Sequence, residues 1–184
     1  MTSERPDQSE EEVAAKSFIT DRSLLWAKRS AIYTLSQRSV STEALRKKIV
    51  ERAVRKYDGI EPSEAEKLAA AAVAFCTDNG FLDDQSFAEY RVAEGVRKGH
   101  SRRKIEMTLA DKGVARDDAA GAVIDVDDVE SAMNLAQKKG YGPFRRGDAD
   151  QKRIAREAAA FARNGFSSEI TWKIVRMSPD DLGD

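Results

Sequence analysis

From Asp21 onward the apolar residues recur three, four or seven positions apart: Leu25, Ile32 and Leu35, then Leu45, Ile49, Ala53 and Val54. Such spacing places each set on one face of a helix, so two amphipathic helices are predicted. Ser41 is the natural N-cap of the second, and Glu43 in its first turn favours the positive end of the helix dipole. Pro62-Ser63-Glu64-Ala65-Glu66 predicts a third start, with Ser63 and Glu66 spaced as a reciprocal capping box. Gly80, after Asp78-Asn79, can take the left-handed conformation that ends this helix.

The segment Phe81-Leu82-Asp83-Asp84-Gln85-Ser86-Phe87-Ala88 reads as a fourth N-terminus. Asp83 caps it, Asp84 complements the dipole, and Leu82 is placed to staple onto Phe87. The helix continues through Tyr90 and Val96 to Lys98-Gly99. Ser101 caps a fifth, which carries Ile105 and Leu109 and ends at Lys112-Gly113-Val114. A sixth covers about 116–124, and a seventh from about Asp128 carries Met133, Leu135 and Ala136 as far as Lys139-Gly140. Tyr141-Gly142-Pro143-Phe144 cannot continue it. The eighth runs from about Ala149 to Arg163, and the ninth follows Ser167, carries Ile170, Ile174 and Val175, and is stopped by Pro179.

Nine short helices and no alternating strand predict an all-α fold. The junction Arg38-Ser39-Val40-Ser41 resembles Lys98-Gly99-His100-Ser101 and, more loosely, Asn164-Gly165-Phe166-Ser167. Gly59-Ile60 and Gly113-Val114 form a second matching pair. Tandem three-helix repeats in an elongated, curved arrangement explain this better than one globule, since each unit is too small to be comfortably stable alone. The expected divisions are an acidic tail (1–20), repeats at 21–81, 82–126 and 127–178, and a C-terminal tail (179–184).

Charge sharpens the repeat. The 184 residues hold 31 Lys and Arg against 32 Asp and Glu, a net charge of -1. Counted by segment, 22–57 carries +8, 58–90 carries -7, 91–116 carries +5, 117–134 carries -6 and 135–163 carries +5. A uniformly basic nucleic-acid binder is excluded, but one basic block falls in each unit. In-phase blocks on a solenoid form a strip suited to an anionic partner, either a phosphate backbone or an acidic protein surface. Arg102, Arg103 and Lys104 occupy a helix first turn, where cations oppose the dipole, so helix stability does not explain them. Trp26, Phe75, Phe81, Phe87, Tyr90 and Phe161 fall at core or staple positions rather than among the basic residues.

The scarce residues exclude most chemistry. Cys76, the one cysteine, lies in an apolar run and reads as a buried thiol; with a single histidine, His100, the chain offers no disulfide and no thiolate metal site. Capping accounts for Asp83 and Asp84, and no phosphate-cradling Gly-rich loop occurs. No cofactor or metal is expected, and no nucleophile, base and metal can be assembled into an enzyme. The acidic start is no signal peptide and no window is apolar enough to span a membrane, so a soluble cytoplasmic protein is expected.

The centre of the chain resembles a known family. Gly80-Phe81-Leu82-Asp83-Asp84 with Phe87-Ala88 and Tyr90, then Arg97-Lys98-Gly99, Ile105, Leu109 and Lys112-Gly113-Val114, look like the signature of RecX, the bacterial regulator of the RecA recombinase. Arg38-Ser39-Val40-Ser41-Thr42-Glu43-Ala44-Leu45 resembles the start of the family's second helix, and Asn164-Gly165-Phe166 through Ile170 its third-repeat ending. The likeness covers about 22–177. It implies tandem three-helix repeats, and a stoichiometric modulator that binds in the groove of the RecA–DNA filament and suppresses its ATPase, strand-exchange and co-protease activities. On that reading Arg38, Arg46, Lys48, Arg102, Arg103 and Lys112 are the expected contacts to RecA and DNA, Leu82, Asp83, Asp84, Phe87, Ala88 and Gly113 are structural, and the protein works as a monomer with weak affinity for free DNA. The rival reading is a helix-turn-helix-like regulator that binds duplex DNA directly.

Overall fold

The computed structural model describes residues 17–182. Most of the acidic segment, residues 1–16, lies outside the described residues. Among those described, the chain forms nine α-helices and no strand: α1 (Asp21–Gln37), α2 (Thr42–Lys56), α3 (Pro62–Asp78), α4 (Asp84–Lys98), α5 (Arg102–Asp111), α6 (Arg116–Ala122), α7 (Asp128–Lys139), α8 (Gln151–Arg163) and α9 (Ser168–Arg176). They group in threes, each group around its own apolar core, as tandem three-helix units require.

The first core contains Leu45 and Ile49 of α2 and Leu68 of α3, all fully buried, as the spacing predicts. The contribution of α1 differs from expectation. Its buried face is Ser23, Ala27, Ala31 and Thr34, while Leu25, at 49% exposure, and Ile32 lie outside with Val54 of α2. The reason is close approach: α1 packs on α3, whose inner face is Ala65, Ala69, Ala72 and Cys76, and only small side chains fit between the two backbones. The hydroxyls of that face are satisfied locally, with Ser23 donating to the Phe18 carbonyl and Thr34 to that of Ser30. Residues 17–20, expected in the tail, belong to the fold. Thr20 and Ser23 form a capping box on α1, Phe18 and Ile19 pack on the core, and the Glu64 carboxylate accepts from Ser17 Oγ and the Phe18 N–H.

Other local expectations shift for physical reasons. Pro62 takes the first helical position, where its fixed φ fits and its missing N–H is harmless, so α3 starts two residues early and the Ser63–Glu66 box does not form. Leu82 buries in the first core while Phe87 joins the second, so Leu82 ties two units together instead of stapling α4. Phe81 and Tyr90, at 54% and 58% exposure, are not core residues. Asn164-Gly165-Phe166-Ser167 leads into the third helix of its unit, so it corresponds to Lys112-Gly113-Val114 and not to the Ser41 and Ser101 junctions.

The second core is built from Phe87, Ala88, Ile105, Leu109 and Val123, and the third from Leu135, Phe161, Phe166, Ile174 and Val175. In the third unit a 3-10 turn (Gly142–Phe144) follows α7. Its exit is pinned by Arg145, which donates to both oxygens of the buried Glu157 and to the Val175 carbonyl. Burial alone would raise the Glu157 carboxyl; Arg145 and the Gly142 N–H outweigh it and hold the carboxyl below its ordinary value.

Candidate functional site

The same joint is built twice, between units one and two and between units two and three. At the first, Ser41 caps α2 by accepting the Ala44 N–H and donates its hydroxyl to the Lys112 carbonyl. The free N–H of Thr42 donates to Asp84 Oδ1 at 2.8 Å. At the second, Ser101 caps α5 by accepting the Lys104 N–H, its own N–H donates to the Asn164 carbonyl at 3.0 Å, and the Arg102 N–H donates to Asp128 Oδ1 at 2.6 Å. In each case an acid at the first position of one unit's leading helix caps the second helix of the unit before it. Each joint is closed by a glycine with positive φ, Gly113 or Gly165. A Cβ on Gly113 would lie 3.0 Å from Glu43 Cβ, and one on Gly165 would lie 3.1 Å from Lys104 Cβ and would collide with Ser101 Oγ.

These contacts assign the motif residues. Asp83 caps α4 through the Gln85 and Ser86 amides, and its carboxyl is held below the ordinary value first by the Ser86 hydroxyl and then by those amide bonds. Asp84 reaches across the first joint, Phe87 and Ala88 fill the second core, and Gly113 permits the approach of α2.

The expected contact residues divide between two fates. Arg46 is enclosed by Glu43, at 2.7 and 2.9 Å, and Glu66, and Arg102 donates to the Val126 carbonyl at the second joint as well as offering its amide to Asp128. Arg103 is exposed and makes no ion pair among the described residues. Arg38 and Lys48 lie together at the α1–α2 corner with Arg52, which sequence reasoning missed. Arg52 is fixed by the Ser30 carbonyl and hydroxyl and by Thr34 Oγ1. Burial first, and then Arg38 and Arg52, push the Lys48 ammonium below its ordinary value, which marks a cluster of like charge.

Lys112 lines a recess inside unit two, beside a cleft between units two and three; the sequence revealed neither. The cleft, about 540 Å³, lies between Arg97, Lys98 and Glu94 of α4 and Asn134, Gln137 and Lys138 of α7. The recess, about 200 Å³, is bounded by Arg91, His100, Thr108 and Lys112 and shares Glu94 and Lys98 with the cleft. Glu94 is the only carboxylate in either wall. It pairs with Lys98 and Arg91, both at 2.8 Å, which hold its carboxyl down at about 2. The cations were hidden because Arg97, Lys98, Lys138 and Lys139 occupy the last turns of α4 and α7, where favourable interaction with the helix dipole already explains them. The opposite end of α4 faces α6 across an acidic groove containing Asp84, Glu89, Asp117 and Asp118. The alternation of charge along the sequence is thus an alternation in space. Among the described residues, no cluster of His, Cys, Asp and Glu is arranged to hold a metal ion, and no helix is long and apolar enough to cross a membrane.

An array of three-helix units, jointed by caps and segmented in charge, defines a helical repeat protein. The family model for the second three-helix domain of RecX matches residues 83–123, the span of the second unit. A protein of Agrobacterium fabrum named Regulatory protein RecX is 41% identical over 165 residues, covering 90% of each chain. One of the same name from Myxococcus xanthus is 32% identical, covering 84% of this chain and 86% of its own. The crystal structure of RecX from Lactobacillus salivarius superposes with a TM-score of 0.62 at 20% identity, over 85% of this chain and 97% of that one, a likeness of fold. The chain belongs to the RecX family of regulatory proteins.

Proposed function

We propose that this chain is a cytoplasmic, stoichiometric regulator that binds along the nucleoprotein filament of RecA and suppresses its recombinase, ATPase and co-protease activities, with no chemistry of its own. The observation that carries this reading is the repeated joint. It sets three units in fixed register and leaves cations outside the internal ion pairs in successive units: Arg38 and Lys48 in the first, Arg103 and Lys112 in the second, Lys138 in the third. A filament groove is itself periodic, so units held in register can engage several protomers at once and gain avidity without any one strong contact. Arg46 and Arg102 serve mainly the fold on this view, and the remaining expected contacts face the partner and its DNA.

The deciding experiment is RecA ATPase on single-stranded DNA, titrated with the protein from substoichiometric to equimolar ratios across a salt series. Progressive inhibition that weakens with salt is expected. The triple charge reversal Arg38→Glu, Lys48→Glu and Arg103→Glu should abolish it with helical content unchanged. Full inhibition by that variant would overturn the reading, and sequence-specific binding to duplex DNA without RecA would replace it with a direct DNA-binding regulator.

A further inference from the structure

We propose that the cleft between units two and three is a binding site for a chain of phosphates, seated between Arg97 and Lys98 of α4 and Lys138 of α7 and extending past Lys98 to the neighbouring recess of unit two, at Arg91 and Lys112. Five cations against one carboxylate, Glu94, line the cleft and the recess beside it, which have Glu94 and Lys98 in common. Like charges collected in this way repel one another in the free protein, and a bound polyanion removes that cost.

The shape selects the anion. An α-helix with its side chains is about 10–12 Å across, so an acidic helix does not fit a recess of about 200 Å³, whereas a phosphate group does. The cleft then accommodates the neighbouring phosphates, with the Gln137 amide as a neutral donor beside Lys138. The phosphates can come from a nucleic-acid backbone or from the tail of a free nucleotide or polyphosphate.

His100 supplies a signature of occupancy. Facing it are Glu94 and Lys98 of α4, Lys104 of α5 and Lys138 of α7; burial first, and then Lys104 and Lys98, hold its proton affinity below the ordinary value. A polyanion beside it reverses that balance, so binding takes up a proton and tightens as the pH falls.

The site is tested on the full chain without RecA, so that it and the filament reading stand or fall separately. Binding of tripolyphosphate is measured by calorimetry, and of fluorescein-labelled oligothymidylate by anisotropy, at one ionic strength. The double variant Arg97→Gln, Lys138→Gln should bind at least one probe about tenfold more weakly, while Arg22→Gln, Arg29→Gln, an equal loss of charge on the outer face of α1, should change binding less than about twofold. Binding should also tighten between about pH 8 and pH 6, and His100→Asn should flatten that dependence. Selective loss of tripolyphosphate binding identifies free phosphate chains as ligands, and selective loss confined to the oligonucleotide identifies a nucleic-acid backbone; either supports the site. Absence of binding of both probes, or equal weakening by the two double variants, overturns it.

Discussion

The two joints share a backbone device and differ in what surrounds it. At the first, a serine cap, one aspartate and one glycine turn hold units that keep separate cores, with Leu82 the apolar tie between them. At the second, α4 packs along α7, Asn134 donates to the Val96 carbonyl, and Lys104 donates to the Arg163 carbonyl at the end of α8. Caps alone can set the register of neighbouring units, but packed helices are needed to make them one cooperative body. The chain therefore contains a stiffer pair, units two and three, joined to a first unit through a narrower connection.

The glycine turns give the largest expected difference. Gly165→Ala forces a left-handed backbone on a residue with a side chain and drives that side chain into Ser101, displacing a cap; the loss should be about 3 kcal/mol. Gly113→Ala carries the same backbone cost, but its methyl meets Glu43 Cβ at 3.0 Å, where the α2 side chain can shift slightly, so about 1–2 kcal/mol is expected. Urea unfolding followed by circular dichroism measures both. Equal losses would mean that the two joints are equally tight.

The bridging aspartates come next. Asp84→Ala and Asp128→Ala each remove one cap across a joint, costing about 1 kcal/mol. Their consequences should differ in kind. Without Asp84 little besides Leu82 and the Ser41 hydroxyl holds the first unit, so unfolding should separate into two transitions, with α1–α3 exchanging amide hydrogens independently of the rest. Without Asp128 the packing of α4 on α7 persists, so the midpoint should fall with a single transition retained. Two transitions in Asp128→Ala and one in Asp84→Ala would reverse the assignment of the weaker joint.

What was readable in the sequence follows from the distance between interacting groups. Ser41, Asp83 and Ser101 cap amides two or three residues away, and Leu45, Ile49, Ile105 and Leu109 mark their helix faces by size as well as spacing. The inner face of α1 was not legible because close packing on α3 selects small residues, which carry little hydrophobic signal, while Leu25 and Ile32 mimic a core stripe on the outer side. Asp84 looks like an ordinary first-turn acid, and only the fold brings it to Thr42, 42 residues earlier. The cleft cations were obscured by an adequate local explanation at each helix end. Of the expected contacts, Arg38 and Lys48 share a corner, whereas the carboxylates that enclose Arg46 include one, Glu66, on another helix.

The smallest expected effect compares two carboxylates that each sit between two cations: Glu43 with Arg46 and Lys47 beside the first joint, and Glu94 with Arg91 and Lys98 beside the second. The hydrogen bond from Arg46 lowers the Glu43 carboxyl, and those from Lys98 and Arg91 bring Glu94 to about 2. Both carboxyls bind a proton less tightly when folded than when unfolded. Whatever stability they contribute is therefore complete above the unfolded carboxyl value and disappears as the pH falls through the folded one. Because Glu94 is depressed as far as about 2, its contribution should persist to more acidic pH than that of Glu43, and because both groups face solvent, salt should shrink both effects. Unfolding midpoints of Glu43→Gln and Glu94→Gln against the parent, taken from neutral pH down to about pH 3 at low and high salt, test this. Each variant's deficit should narrow with acid, with the Glu43→Gln deficit closing first; the opposite order would show that the cleft carboxylate is held more weakly than its geometry requires.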